Sequence, residues 1–158
     1  MGKINISFLV GLLLILTSFN SLNPSQYRLK TIVIDAGHGG KDPGARGKIS
    51  WEKDIALSIS LELGRILKEN IPALNIVYTR KEDKFLTLYR RSEIANKSNA
   101  DLFISIHADS FSKSSVYGAT TYLMGLSKTS ANMNVAKREN SVIFLEEDYE
   151  QTYKDFDP

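Results

Sequence analysis

Apolar positions along this chain follow two patterns, short continuous runs and longer stretches with helical spacing. Continuous runs at residues 31–35, 74–79 and 102–106 are rich in Ile, Val and Leu and predict strands, and the run at 31–35 predicts a strand that is buried on both faces. A fourth strand is predicted at residues 119–124. The first run is followed by a glycine-rich segment, which predicts a loop at the carboxyl end of that strand.

Helices are predicted between these strands. Residues 51–70 carry apolar side chains three and four positions apart, and Asn70 with Pro72 supplies a stop signal. The apolar positions of this helix are Ile55, Ile59, Leu63, Ile66 and Leu67. Residues 86–97 predict a second helix, and residues 130–149 have helical composition. The interleaved order predicts an α/β fold, a three-layer domain with a largely parallel central sheet flanked by helices.

Composition limits the function classes. A chain of 158 residues with 42% hydrophobic and 24% charged residues is typical of one globular domain. The formal charge is +2 and the cations are scattered, so nucleic acid is not an expected partner. The sequence has no cysteine, which excludes disulfides, thiolate metal sites and a catalytic thiol. A metal would have to be bound by His, Asp or Glu.

The N-terminus resembles an export signal. Lys3 precedes an apolar run at residues 8–16, which is shorter than the ~18 residues that a membrane-spanning helix needs. Because no small-x-small triplet precedes Pro24, residues 1–23 are predicted to be either a signal peptide or an uncleaved N-terminal tether. Residues 24–158 then form the folded part, and the protein is expected to be exported to the periplasm or cell envelope.

Both histidines of the sequence follow predicted strands. His38 lies three residues after Asp35, and His107 directly follows Ile106. The carboxyl ends of parallel strands meet at one edge of a sheet, and ligands bind there. If the two strands are close neighbours, both imidazoles emerge at that edge.

Glu52 is a third candidate, since it begins the helix that follows the glycine-rich loop and lies on the side that faces the sheet. Two imidazoles and one carboxylate form a suitable set of three ligands for Zn²⁺, with a fourth position left open. An open position favours catalysis over a structural role. Asp35 and Asp109 flank the histidines and are candidate outer partners for the second ring N–H.

The same residues allow other interpretations. Glu52 alone could be a first-turn residue whose negative charge interacts favourably with the N-terminal end of the helix dipole. His107 alone could be a hydrogen-bonded residue at a strand end. Asp42 replaces the third glycine of a dinucleotide-binding loop, so no nucleotide is expected. Ser105, His107 and Asp109 lie close in sequence, but no nucleophile elbow is present to support a Ser-His-Asp triad.

Five blocks of the sequence resemble, in order, the zinc-dependent N-acetylmuramoyl-L-alanine amidases of bacterial cell-wall turnover. The blocks are IDAGHGGKDPGA at 34–45, EKD at 52–54, YTR at 78–80, LxxRxxxAN at 88–96 and LFISIHAD at 102–109. The resemblance implies that His38, Glu52 and His107 bind Zn²⁺. It also implies a peptidoglycan hydrolase that cleaves the amide between N-acetylmuramic acid and the L-alanine of the stem peptide.

The family's general-base glutamate belongs to a late strand block that nothing after Tyr122 resembles. We therefore expect this glutamate and the last strands of the sheet beyond Pro158, in a longer enzyme, and the catalytic residue stays unassigned. The acidic residues of the last segment are expected to form a solvated face, and these are Glu139, Glu146, Glu147 and Glu150. A non-catalytic module that binds zinc or peptidoglycan without the general base is the alternative function.

Overall fold

A computed structural model describes residues 28–109, 113, 115–123 and 130–154. The predicted signal or tether at residues 1–23 lies outside these residues. Within the described part of the chain, no helix is long and apolar enough to cross a bilayer.

A parallel sheet forms the centre of the described fold. Its strands are β1 (Thr31–Ala36), β2 (Asn75–Tyr78) and β3 (Leu102–Ile106), in the order β2-β1-β3. The register pairs Ile34 with Tyr78 on one side and with Ile104 on the other. The central strand is buried on both faces, as its continuous apolar run predicts.

Two helices cover opposite faces of this sheet, which confirms the α/β prediction. Ile32 and Ile34 pack with Leu63 of helix α1 (Glu52–Asn70). Asp35 points to the other face, because successive strand residues alternate, and it contacts Arg91 of helix α2 (Leu88–Lys97). The result is three layers in the order α1, sheet, α2.

The buried face of α1 differs from the predicted apolar stripe. Ile55 and Ile59 are exposed, while Glu52 and small residues at four-residue intervals are buried; these are Ala56, Ser60 and Gly64. The small side chains let the helix approach the sheet closely: a Cβ at Gly64 would lie 1.8 Å from the hydroxyl oxygen of Tyr78. Sequence periodicity therefore placed Glu52 correctly but identified the wrong isoleucines as core.

Two predictions for the last third of the chain are wrong. Residues 119–123 are exposed and form no strand, and Met124 lies outside the described residues. The β-propensity of this run depends on a neighbouring strand to pack against, and none of the described strands pairs with it. The helix predicted at 130–149 is divided into α3 (Ser130–Asn140), a 3₁₀ helix (Ser141–Leu145) and α4 (Tyr149–Thr152). The Ser141 hydroxyl donates to the Arg138 carbonyl at the break, an alternative to continued helix.

The C-terminal segment is attached to the first turn of α2. Glu146 is buried, and its carboxylate accepts the backbone N–H of Leu88 at 2.8 Å. The Tyr153 hydroxyl accepts the N–H of Tyr89 and donates to Glu146. Glu146 is therefore not part of a solvated face, because it caps donors that the first turn of a helix leaves unpaired.

Candidate metal centre

His38 is held by the loop that follows β1. Its φ of 59° lies in the left-handed region, and Gly44 closes over the ring, where a Cβ would lie 2.6 Å from the ring Cδ2. The ring Nδ1 lies 2.8 Å from Oδ2 of Asp42. Because an ionised carboxylate only accepts hydrogen bonds, Nδ1 carries a proton, and in the neutral ring that binds a metal the lone pair is on Nε2.

Glu52 begins α1 and is 4% exposed. One carboxylate oxygen, Oε2, accepts the backbone N–H of Ala45 at 2.8 Å, and the other, Oε1, accepts that of Ala108 at 2.9 Å. The side chain is fixed by loops on both sides. Its Oε1 lies 3.2 Å from His38 Nε2 and 3.1 Å from His107 Nδ1.

His107 directly follows β3, next to the loop of His38. Its Nδ1 lies 3.2 Å from His38 Nε2, and the two rings meet edge to face with centroids 4.8 Å apart. The His107 ring rests on Gly37, where an added Cβ would be 2.5 Å from the ring Cε1. The parallel pairing of β1 with β3 thus brings both imidazoles to one edge of the sheet, as expected.

The three facing atoms have the spacing of a zinc site. His38 Nε2, Glu52 Oε1 and His107 Nδ1 form a triangle with sides of 3.1, 3.2 and 3.2 Å. Tetrahedral zinc with bonds of about 2.05 Å separates its ligand atoms by about 3.3 Å. The nitrogen and oxygen donors and their spacing therefore fit zinc.

Glu139 of α3 reaches the same point, which the sequence did not predict. Its Oε2 lies 2.9 Å from His107 Nδ1 and 3.6 Å from His38 Nε2, and the four donor atoms all lie within 4.8 Å of one another. The expectation of a solvated Glu139 is wrong. The sequence offered no local signal for this position, because the α-helix ends at Asn140 and its spacing does not continue to the buried Ile143.

The carboxylates and imidazoles of the cluster shift one another's pKa values. Burial opposes the charged form of His38, but hydrogen bonds to Asp42 and Glu52 outweigh it and raise the pKa of His38 to about 9. Burial is likewise outweighed at His107, where Glu139 and Glu52 raise the pKa to about 9. The pKa of Glu52 stays well below its usual range despite burial, because both imidazoles and two backbone N–H groups stabilise the anion.

The two predicted outer partners lie elsewhere. The Asp35 carboxylate accepts hydrogen bonds from Thr79, Arg91 and Ser105 on the α2 side of the sheet. Asp109 forms an ion pair with Arg138. The outer partner of His38 is instead Asp42, because the loop turns back through paired backbone hydrogen bonds between Gly39 and Asp42.

These contacts also disfavour the Ser-His-Asp alternative. The Ser105 hydroxyl donates to Asp35 rather than to an imidazole. His107 Nδ1 faces Glu52, and Asp109 contacts Arg138. No serine-to-histidine hydrogen bond of a triad is formed among these three residues.

A cavity of about 350 Å³ opens beside the cluster. It extends from the two imidazoles along α2 and β3, where Ala95, Asn96 and Phe103 line it. A ligand in this cavity would contact both imidazoles and the side chains of α2 and β3 that line it.

An α/β domain with two histidines and a glutamate at the carboxyl edge of a parallel sheet is an arrangement that can bind a single metal ion. The sequence profile of Amidase_3, the N-acetylmuramoyl-L-alanine amidases, matches residues 32–154. The chain belongs to this family.

Individual relatives agree with that membership. The chain is 38% identical over 125 residues to a putative N-acetylmuramoyl-L-alanine amidase of Buchnera aphidicola, covering 78% of this chain and 52% of the relative. It is 41% identical over 116 residues to the N-acetylmuramoyl-L-alanine amidase AmiA of Escherichia coli, covering 70% of this chain and 39% of the relative. The chain thus spans about half or less of the length of these relatives.

A solved structure shows the same fold. The catalytic domain of CwlV, an N-acetylmuramoyl-L-alanine amidase from Bacillus (Paenibacillus) polymyxa var. colistinus, superposes with a TM-score of 0.52 at 43% identity. The match covers 56% of this chain and 50% of the CwlV domain.

Replacing Glu52 with glutamine is expected to weaken zinc binding at least tenfold, because it removes the charged ligand of the triangle. The measurement is competition with a chromophoric chelator. Asp54→Asn is the matched control, since Asp54 is an exposed carboxylate in the same helical turn. Equal zinc affinity in both variants would indicate that Glu52 acts only on the helix terminus.

Proposed function

We propose that this chain is the metal-binding part of a zinc-dependent peptidoglycan amidase. The substrate bond is the amide between the lactyl group of N-acetylmuramic acid and the L-alanine of the stem peptide. The observation that carries the proposal is the triangle of His38, Glu52 and His107, with the spacing that zinc requires, in a chain of the amidase family.

His38 and His107 would bind zinc through Nε2 and Nδ1, and Glu52 through Oε1. Bound there, zinc would polarise the amide carbonyl and lower the pKa of a water molecule. The chain's own residues keep this arrangement in place: Asp42 holds the proton of His38 on Nδ1, and backbone N–H groups orient Glu52. The adjacent cavity would receive the substrate.

Glu139 determines whether the substrate can reach the site. Its carboxylate lies beside the other donor atoms, with Oε2 2.9 Å from His107 Nδ1 and 3.6 Å from His38 Nε2. A closed set of four protein ligands is typical of structural zinc, whereas catalytic zinc keeps one position open. With Glu139 in this position the metal site would be closed, and α3 would have to move before the amide carbonyl could approach.

The proposal also assigns a role to each part of the chain. Residues 24–158 would form the N-terminal part of the catalytic domain. Residues 1–23 would direct export or tether the protein in the periplasm or cell envelope, where peptidoglycan lies.

The test is release of free stem peptide from purified muropeptides by the zinc-loaded protein, detected as a new L-alanine amino terminus. We expect release that is abolished in His38→Ala. Absence of release by the natural full-length protein with stoichiometric zinc would contradict the proposed activity.

The closed four-residue set also favours a second candidate, a non-catalytic module that binds zinc or cell-wall fragments. This candidate predicts that the zinc-loaded protein sediments with purified sacculi and leaves their amide bonds intact. Stem-peptide release in the same samples would exclude it.

A further inference from the structure

Two buried guanidinium groups lie directly behind the loop that carries His38. Arg80 follows β2 and is 4% exposed, and Arg91 lies in α2 and is 6% exposed. Burial, together with the neighbouring charge of Arg91, lowers the pKa of Arg80. Two like charges in the interior are unfavourable unless they are well hydrogen-bonded.

The two side chains bind three consecutive carbonyl groups. The Ala36 oxygen accepts from Arg80 Nε at 3.0 Å and from Arg91 Nη1 at 2.8 Å. The Gly37 oxygen accepts from Arg80 Nη2, and the His38 oxygen accepts from Arg91 Nη2, both at 2.7 Å. These bonds fix the peptide planes on both sides of Gly37 and hold His38 at a φ of 59°, a conformation that non-glycine residues rarely adopt.

Arg80 also connects this loop to the helix that bears Glu52. Its Nη2 donates to the carbonyl of Lys53 at 2.8 Å, one residue after Glu52. Within the described residues, the Arg80 guanidinium donates hydrogen bonds to four backbone carbonyl oxygens, at residues 36, 37, 53 and 82. The guanidinium therefore acts on the backbone and not on a charged partner.

Arg91 makes the corresponding connection to β3. Its Nη1 donates to Asp35 Oδ1 at 2.7 Å, and Asp35 Oδ2 accepts the Ser105 hydroxyl at 2.8 Å. Ser105 lies two residues before His107 on the same strand. Through these contacts the loop of His38 and the strand that leads to His107 share one buried polar network.

We infer that Arg80 and Arg91 are positioning residues of the metal centre, whose guanidinium groups set the spacing of His38, Glu52 and His107. This inference rests on the proposed zinc site and adds residues that touch none of its donor atoms. Lysine cannot replace either arginine, because one ammonium group cannot donate along the several fixed directions that a planar guanidinium covers.

The test compares Arg91→Lys and Arg80→Lys with Arg90→Lys, an exposed arginine of the same helix that pairs with Glu93. Zinc affinity is measured by chelator competition, and the visible spectrum of the Co²⁺-loaded protein reports the coordination geometry. We expect affinity to fall by about 10- to 100-fold in each buried variant, with an altered Co²⁺ spectrum, and to stay unchanged in Arg90→Lys.

Amide hydrogen exchange in the metal-free protein gives a readout that does not depend on zinc. The N–H of Gly37 donates to Ile106 and that of Gly39 to Asp42, so a released loop exchanges faster at both positions while β1 stays protected. Two variants are measured because Arg91→Lys alters the buried ion pair with Asp35 and could fail to fold. Arg80→Lys leaves that ion pair in place.

If Arg80→Lys and Arg91→Lys both have the zinc affinity, Co²⁺ spectrum and amide exchange of the wild-type protein, the inference is wrong. The proposed zinc site would be unaffected by that result. A wild-type protein that binds no zinc would instead overturn the proposed function, and the exchange measurement would still decide whether the arginines hold the loop.

Discussion

Replacing His38 or His107 with alanine should reduce zinc affinity by more than about a hundredfold. Each substitution leaves one nitrogen and one oxygen of a triangle whose sides are 3.1 to 3.2 Å. Apparent free energies for structural zinc sites correspond to roughly 3 kcal/mol per ligand, which is a factor of more than 100 in the dissociation constant. Chelator competition and metal content after dialysis measure the loss.

The backbone at His38 calls for a second variant. Alanine is strained at a φ of 59°, so His38→Ala could disturb the loop as well as remove the ring nitrogen. Asparagine adopts this conformation more readily and provides no imidazole. We expect His38→Asn to lose zinc to the same extent, and stoichiometric zinc in His38→Asn would contradict the assignment of Nε2 as a ligand atom.

Removing the Glu139 carboxylate should open the metal centre. In the wild-type protein this carboxylate, a side chain of α3, lies 2.9 Å from His107 Nδ1 and is half-buried. Glu139→Ala is expected to let a small hydroxamate bind the Co²⁺-loaded protein and change its visible spectrum, whereas the wild-type spectrum stays constant. If the open form is less than about one tenth of the wild-type population, stem-peptide release should rise about tenfold or more.

Glu147→Ala is the matched control for this experiment. Glu147 is an exposed glutamate of the same C-terminal segment, and its removal should leave both the Co²⁺ spectrum and the hydroxamate response unchanged. A hydroxamate response in the wild-type protein as large as that in Glu139→Ala would show that Glu139 does not close the site.

Neighbouring contacts explain why Glu139 is held there. Arg138, the residue before it, forms an ion pair with Asp109 and also contacts Glu139. The buried Glu146 anchors the following segment to the start of α2. Asp109 thus contributes to the site by holding α3 over it, rather than by orienting a histidine ring as the sequence suggested.

The assembly of the histidine pair could be predicted because it depends on regular structure. Continuous apolar runs identify β1 and β3, and side chains just beyond parallel strands meet at one edge of the sheet. The position of Glu52 followed from helical spacing, even though Ile55 and Ile59 on the predicted stripe are exposed. Local periodicity identifies the type of each element more reliably than the face that it buries.

Other parts of the site depend on contacts between distant segments that no local pattern records. Asp42 is the partner of His38 because the glycine loop folds back on itself, and Asp35 faces the opposite side of the sheet. Glu139 lies 87 positions after Glu52 in a polar segment whose composition is typical of a solvated surface. Its carboxylate reaches the imidazoles where α3 is held by the Arg138–Asp109 ion pair and the segment that follows it is attached to α2 through Glu146.

The amino-acid sequence by itself determined the α/β class, the family resemblance and three donor residues at one edge of a parallel sheet. These follow from the periods of strands and helices, which are properties of the local backbone. The tertiary structure alone decided that a fourth side chain, Glu139, lies beside these donors and that two buried arginines bind the carbonyl groups of the His38 loop. Such contacts depend on how complete elements pack, and packing is set by shape and charge across the whole domain.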